Sequence, residues 1–292
     1  MTNHNTIKKS RIHSVLQKIK YQLIKRHVYA ITGPLRVLPD FIIIGTMKSG
    51  TTSLYYDICE HPCIESASYD EVGYFDVNYH LGLNWYRSMF PTIFQKYISK
   101  LKHQKFLTGE DTPFYFWKED AVNRINKILP NVKLIIILRN PIDRAYSNYT
   151  DRINQGKELN SFEEVIEREI NLIKKNGEKN SKSNQIIDII KEPAYLAKGI
   201  YVNQLELWIK KFPLNQFHIL STEEMANNPN KTLQKVFEFL EIPKENIKTP
   251  QKRKMKKYSP MNTKTRESLI EFYKPYNEKL FEEINQRFDW DY

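Results

Sequence analysis

The chain has 292 residues, of which 45 are Lys or Arg and 34 are Asp or Glu, so the formal net charge is +11. Its 40% hydrophobic residues supply a large core, which excludes a wholly disordered chain. No apolar run approaches the about 20 residues of a bilayer-spanning helix, and the first residues lack a secretory signal. We therefore expect a cytoplasmic protein with an anionic ligand or partner.

The first predicted element is a basic amphipathic helix over residues 7–28, where apolar positions recur at helical spacing between Lys and Arg. Gly33 and Pro34 interrupt this pattern. Such a helix either packs against the main domain or makes a peripheral contact with an anionic membrane surface. We assign residues 1–39 to this helix and its linker, and residues 40–292 to one domain.

Short apolar runs then alternate with helical patterns, which is typical of an α/β fold with a central, mainly parallel sheet between two layers of helices. Strands are predicted over residues 41–45, 133–138 and 217–220. Helices are predicted over residues 52–60, 118–129, 143–155, 161–175, 201–212, 231–240 and 263–288. The only cysteines, Cys59 and Cys63, lack further ligands at zinc-binding spacing, so no metal is expected there.

A glycine-rich turn follows the first strand and reads GTMKSGTTS over residues 45–53. Backbone N–H groups of such a turn, together with the N-terminus of the next helix, hold phosphate groups. The turn departs from the pattern G-x-x-x-x-G-K-[ST], because Thr51 stands at the lysine position and Lys48 lies inside the loop. The sequence therefore predicts a P-loop-like three-layer domain.

Arg139 directly follows the second predicted strand. An arginine binds phosphate but does not hold Mg²⁺, so this position disfavours triphosphate hydrolysis. It favours metal-free transfer from a ligand that has two separated phosphates. An ion pair with Asp143 at the start of the next helix is the purely structural alternative for Arg139.

These segments resemble the family of sulfotransferases that use 3′-phosphoadenosine 5′-phosphosulfate (PAPS), especially its heparan-sulfate-type and bacterial branch. The similarity extends over about residues 40–292. Residues 48–52 are similar to the 5′-phosphosulfate loop, residues 138–147 to the strand, turn and helix at the 3′-phosphate, residues 78–91 to the segment after the catalytic Glu of glucosaminyl N-sulfotransferases, and residues 254–261 to a loop that closes over PAPS.

The resemblance implies PAPS as the donor, 3′-phosphoadenosine 5′-phosphate (PAP) as the product, and no metal. It implies that Lys48 stabilises the leaving oxygen and that Glu71 deprotonates the acceptor, with His80 as the second candidate base. The implied donor-binding residues are Lys48, Ser49, Gly50, Thr51 and Thr52 at the 5′ end, Arg139 and Ser147 at the 3′ end, and Lys254, Lys256, Lys257 and Tyr258 in the closing loop.

The acceptor side is acidic, since Glu65, Asp70 and Asp76 surround Glu71, and Asp70 stands where heparan-type enzymes commonly have Lys. We therefore expect sulfuryl transfer to a hydroxyl or amino group of a small natural-product-like molecule, with a glycan as the alternative acceptor. A P-loop-type kinase or a basic nucleic-acid-binding protein fits less well, because neither a magnesium carboxylate nor a nucleic-acid-binding motif is present. Residues 111–115 are expected only to line the cleft.

Overall fold

The computed structural model describes residues 26–177, 193–247 and 259–290. At its centre are the strands β1 (Phe41–Gly45), β2 (Ile64–Ser66), β3 (Leu107–Asp111), β4 (Lys133–Leu138) and β5 (Phe217–Ser221). They form one five-stranded sheet in the order β2-β3-β1-β4-β5, and every pairing is parallel. The α/β prediction with a central, mainly parallel sheet is therefore confirmed.

The central strand β1 is buried along its whole length and pairs with β3 on one side and β4 on the other. Strands covered on both faces read as continuous apolar runs, which is why β1 and β4 are visible in the sequence. The approach of β3 depends on Gly109, because a Cβ atom at that position would lie 2.4 Å from the Phe41 ring.

The apolar side chains of β1 alternate between two hydrophobic clusters, one on each face of the sheet. Ile42 and Ile44 belong to the larger cluster, whereas Phe41 and Ile43 belong to the smaller one. This two-sided burial gives the three-layer arrangement. The helices are α1 (Arg26–Ile31), α2 (Thr51–Cys59), α3 (Leu83–Arg87), α4 (Ile93–His103), α5 (Glu119–Ile128), α6 (Pro141–Asn154), α7 (Phe162–Gly177), α8 (Tyr201–Ile209), α9 (Thr222–Asn227), α10 (Pro229–Phe239) and α11 (Thr263–Ile284).

Several elements differ from the sequence prediction. Strands β2 and β3 and helices α3, α4 and α9 are additional, and α11 ends at Ile284, before the predicted end at residue 288. Most of the N-terminal helix predicted over residues 7–28 lies outside the described residues, which begin at residue 26. Across the three described ranges, no helix is both long and apolar enough to cross a membrane.

Candidate active site

The glycine-rich turn connects β1 to α2 at the carboxyl edge of the sheet, where open α/β sheets bind ligands. Lys48 has a φ of 71° and Gly50 a φ of 90°, so the chain turns sharply into the helix. The first turn of α2 contains no acidic residue, and Gly50 provides no side-chain cap. A Cβ atom at Gly50 would meet nothing within 4 Å. The helix N-terminus is thus open and suits an anion.

Hydrogen bonds from two threonine hydroxyls connect this turn to the ends of neighbouring strands. The Thr46 hydroxyl donates to the Ile137 carbonyl at 3.0 Å. The Thr222 hydroxyl lies 2.7 Å from the Ser49 carbonyl and 3.0 Å from the Leu138 carbonyl. Because the turn is fixed by bonds to β4 and to the start of α9, its backbone is preorganised for a ligand.

Arg139 lies at the end of β4, beside the glycine-rich turn. Its Nη1 donates to the Lys48 carbonyl at 3.2 Å, and its own carbonyl accepts from the Tyr201 hydroxyl at 2.9 Å. Asp143 pairs with Arg266 of α11 at 2.8 Å. The alternative in which Arg139 pairs with Asp143 is therefore not the contact that forms, and Arg139 faces the turn.

Lys48 Nζ lies 3.3 Å from Asp151 Oδ2, and both side chains are half-buried. Asp151 belongs to α6, as does Ser147, which is buried about two turns into that helix. The structure thus brings Lys48 and Arg139 together with the helix that contains Ser147. No local pattern in the sequence predicts the pairing between Lys48 and Asp151, because the two residues are distant in the chain.

Glu71 is exposed and has a φ of 50°, while the neighbouring Val72 is buried. Its segment is held against the end of β3, since the Gly73 N–H donates to Thr112 Oγ1 at 3.2 Å and the Phe75 N–H donates to the Tyr115 hydroxyl at 3.2 Å. Partial burial, then the charges of Asp70 and Asp76, raise the pKa of Glu71 above its usual value. A carboxylate with a raised pKa is a stronger base.

Glu110 and Asp111 place two buried carboxyl groups at the end of β3. Glu110 accepts from the Tyr86 hydroxyl at 2.5 Å and from the Thr112 hydroxyl at 2.8 Å, and burial raises its pKa to about 7. Asp111 is only 1% exposed, and neither of its carboxylate oxygens has a hydrogen-bond donor within the usual distance and angle limits. Burial, followed by the charges of nearby carboxylates that include Asp70 and Glu71, raises the pKa of Asp111 to about 8.

For the remaining residues predicted from the sequence, the structure gives mainly their position and burial. Ser49 and Thr51 are buried in the turn and the first turn of α2, and Thr52 is half-buried. His80 is exposed in a single 3₁₀ turn on the same segment as Glu71. The closing-loop residues, namely Lys254, Lys256, Lys257 and Tyr258, lie outside the described residues.

Together, these features fit a ligand that has two separated anionic groups. The open helix N-terminus and Lys48 suit one group, and Arg139 beside α6 suits the other. Within the described ranges, no group of three or more His, Cys, Asp or Glu side chains is arranged to hold a metal ion.

Comparison with known families is consistent with this geometry. Residues 38–289 match the sequence profile of the sulfotransferase domain. The chain is 32% identical to the membrane-associated sulfotransferase kil1 of Dictyostelium discoideum, over 89% of this chain and 68% of that protein. It is 29% identical to mouse heparan sulfate glucosamine 3-O-sulfotransferase 3B1, over 87% of this chain and 65% of that enzyme.

Among solved structures, the sulfotransferase of Alicyclobacillus acidocaldarius has a TM-score of 0.63 and 24% identity, covering 86% of this chain and 98% of its own. This likeness supports the fold. The expected cytoplasmic location is wrong, because the Dictyostelium relative is named a membrane-associated sulfotransferase.

Proposed function

Because this chain belongs to the sulfotransferase family, we propose that it transfers a sulfuryl group from PAPS to a hydroxyl group of a glycan. The observation that carries the donor assignment is the 3.2 Å hydrogen bond from Arg139 to the Lys48 carbonyl. It joins the two basic positions at one edge of the sheet. The acidic Glu71 segment lies between β2 and β3 in the chain, and we assign it to the acceptor side.

On the donor side, PAPS supplies a sulfuryl group that is joined to its 5′-phosphate through a bridging oxygen, and this oxygen leaves with the phosphate of PAP when the sulfur–oxygen bond breaks. Ser49, Gly50, Thr51 and Thr52 would hold the 5′ end through the open start of α2. Arg139 and Ser147 would bind the 3′-phosphate. Lys48 would stabilise the negative charge of the leaving oxygen, exchanging its contact with Asp151 for the ligand.

On the acceptor side, Glu71 is the proposed general base. Its side chain is exposed and therefore accessible to an acceptor hydroxyl, and its raised pKa favours proton uptake. His80, exposed on the same segment, is the second candidate. The variants Glu71→Gln and His80→Gln distinguish them by their effects on the rate of transfer.

The relatives favour a glycan over the small natural-product-like acceptor that the sequence suggested, because the mouse relative is a heparan sulfate glucosamine 3-O-sulfotransferase. The acceptor side nevertheless carries the exposed residues Asp70 and Glu71, and the charge of Asp70 contributes to the raised pKa of Glu71. Densely sulfated chains would be repelled by these carboxylates. We therefore assign the acceptor to glycans that have few sulfate groups.

The test measures transfer of labelled sulfate from PAPS to three acceptors: a low-sulfated glycosaminoglycan, a highly sulfated heparin fragment, and a small aromatic alcohol. The low-sulfated glycan is expected to have the highest kcat/KM. Preference for the heparin fragment would overturn the assignment of acceptor charge, and transfer to the alcohol alone would overturn the glycan. PAP binding without any transfer would leave only the donor site supported.

A further inference from the structure

Helix α4 has an unusual orientation, because its apolar side faces the solvent. Ile93, Phe94, Tyr97 and Leu101 are all exposed, with Phe94 at 70% and Leu101 at 68%. Ser99, in contrast, is buried. At about 100° per residue, the four apolar side chains occupy an arc of about 100° on the side opposite Ser99. We call these four residues the α4 face.

A surface helix ordinarily turns its apolar stripe toward the core. Single exposed apolar residues are common, whereas a contiguous exposed group indicates an interaction surface. The helix itself is well formed, since the Gln95 N–H donates to Thr92 Oγ1 at 3.1 Å and the Thr92 N–H donates to Gln95 Oε1 at 2.8 Å. The α4 face therefore lies on a helix that has a complete N-terminal capping box.

The preceding segment lies against the start of α4. Arg36 forms an antiparallel bridge with Thr92, the N-cap residue of the helix. Leu35 and Ile31 are both exposed just before this bridge. Apolar surface thus continues from the N-terminal segment to the first turn of α4.

The charges on α4 indicate what this surface would meet. The helix has Lys96, Lys100 and Lys102 and no acidic residue. On the helical wheel, Lys96 and Lys100 flank one side of the α4 face and Lys102 flanks the other. Lysines beside an exposed apolar stripe are typical of helices that lie in the interface of an anionic bilayer. A second copy of this chain would place like charges opposite one another.

We propose that the α4 face docks the protein on an anionic lipid surface, with Phe94 and Leu101 inserted at the level of the headgroups. The exposed Lys100 and Lys102 contact acidic headgroups. This contact uses residues on the folded domain itself, and it is independent of the donor and acceptor assignments made above.

The test is sedimentation of the full chain with vesicles of phosphatidylcholine that do or do not contain about 30% phosphatidylserine. The double variant Phe94→Ser/Leu101→Ser is expected to bind the anionic vesicles about tenfold or more weakly than the wild type. The matched control Leu159→Ser/Leu214→Ser removes exposed leucines elsewhere, Leu159 being 91% exposed, and should bind as the wild type does. Lys100→Gln/Lys102→Gln should weaken binding by roughly fivefold per lysine.

Retained PAP affinity verifies that each variant is folded. The proposal is overturned if the wild type does not bind anionic vesicles, or if it binds neutral ones equally well. It is also overturned if Phe94→Ser/Leu101→Ser binds like the wild type, because the lipid contact would then lie elsewhere in the chain. A wild-type dimer that this variant converts to a monomer would instead identify an interface between two copies.

Discussion

Arg139 is the single side chain on which the donor assignment depends most. Its guanidinium lies beside the turn, 3.2 Å from the Lys48 carbonyl, at the end of a buried strand. Arg139→Ala removes charge-assisted hydrogen bonds worth about 1.5–3 kcal/mol each, so we expect PAP affinity to fall by about 10- to 100-fold. Calorimetric titration with PAP, without magnesium, measures this loss.

The control for Arg139 is Arg287→Ala. Arg287 is an exposed arginine that pairs with Glu278 on the far C-terminal segment. Its removal changes the net charge by the same amount and should leave PAP affinity unchanged. If Arg139→Ala bound PAP as tightly as Arg287→Ala, the 3′-phosphate assignment would be wrong.

Glu71 is expected to affect the rate of transfer and not donor binding. Glu71→Gln keeps the size of the side chain but removes the proton acceptor, so kcat should fall by about 10²- to 10⁴-fold while PAP affinity stays the same. Glu282→Gln, at an exposed position of α11, is the matched control and should keep full activity. A large loss in His80→Gln with an active Glu71→Gln would assign the base to His80.

The pH profile gives an independent measure of Glu71. A base must be ionised, so kcat/KM should fall as the pH drops through the raised pKa of Glu71. The charge of Asp70 contributes to that raised pKa. Asp70→Asn removes this repulsion, and the acidic limb of the profile should move to lower pH. Movement to higher pH, or none, would contradict the role of Glu71.

At the scale of elements, the stability of the folded protein depends on pH through a buried carboxyl group at the end of β3. Burial raises the pKa of Asp111 to about 8, whereas an aspartate in the unfolded chain has a pKa of about 4. The folded state therefore holds a proton that the unfolded state has released, so this group lowers stability as the pH rises from about 4 to about 8. Asp111→Asn removes that effect.

We expect Asp111→Asn to raise the Tm by on the order of 5 °C at pH 8, with a smaller gain as the pH approaches 5. Thermal unfolding at three pH values measures this trend. Asp120→Asn, on the surface of α5, should show the wild-type dependence on pH. A gain in Asp111→Asn that is constant with pH would indicate a packing effect and not a titration.

The sequence predicts the buried elements whose own residues form an apolar run. Strands β1 and β4 are apolar runs, and the glycine-rich turn follows β1 directly, so Lys48 and Arg139 could be placed at one edge. Strand β3 reads LTGED and has no such pattern. Its carboxylates are buried because Tyr86 and Tyr115 from other segments surround Glu110. From the sequence alone, residues 111–115 are therefore expected only to line the cleft.

Contacts between distant segments are the other part that the sequence does not reveal. Thr222, at the start of α9, donates a hydrogen bond to the glycine-rich turn, and Asp151 of α6 forms an ion pair with Lys48. Neither residue belongs to a local motif, so only tertiary packing assigns them to the site. The same limit applies to α4, whose amphipathic pattern gives no information about which side meets the core.

At the scale of the whole molecule, the segment before residue 39 is packed on the domain, although the sequence suggests a linker there. Arg36 Nη1 donates to the Phe90 carbonyl at 2.7 Å, and the Val37 N–H donates to the Pro91 carbonyl at 3.1 Å. A Cβ atom at Gly33 would lie 2.8 Å from Asn84, so this turn lies directly against α3. Residues 26–38 should therefore contribute to folding stability.

Two truncated chains, one starting at residue 26 and one at residue 39, test this contribution. Each lost hydrogen bond is worth about 1 kcal/mol and each kcal/mol about 2–4 °C. With the lost packing added, we expect the Tm of the shorter chain to be roughly 5–10 °C lower. Both chains should bind PAP at low temperature, since Lys48 and Arg139 are retained. Equal Tm values would place the domain boundary at residue 39, and the contacts of Arg36 would then be without consequence for stability.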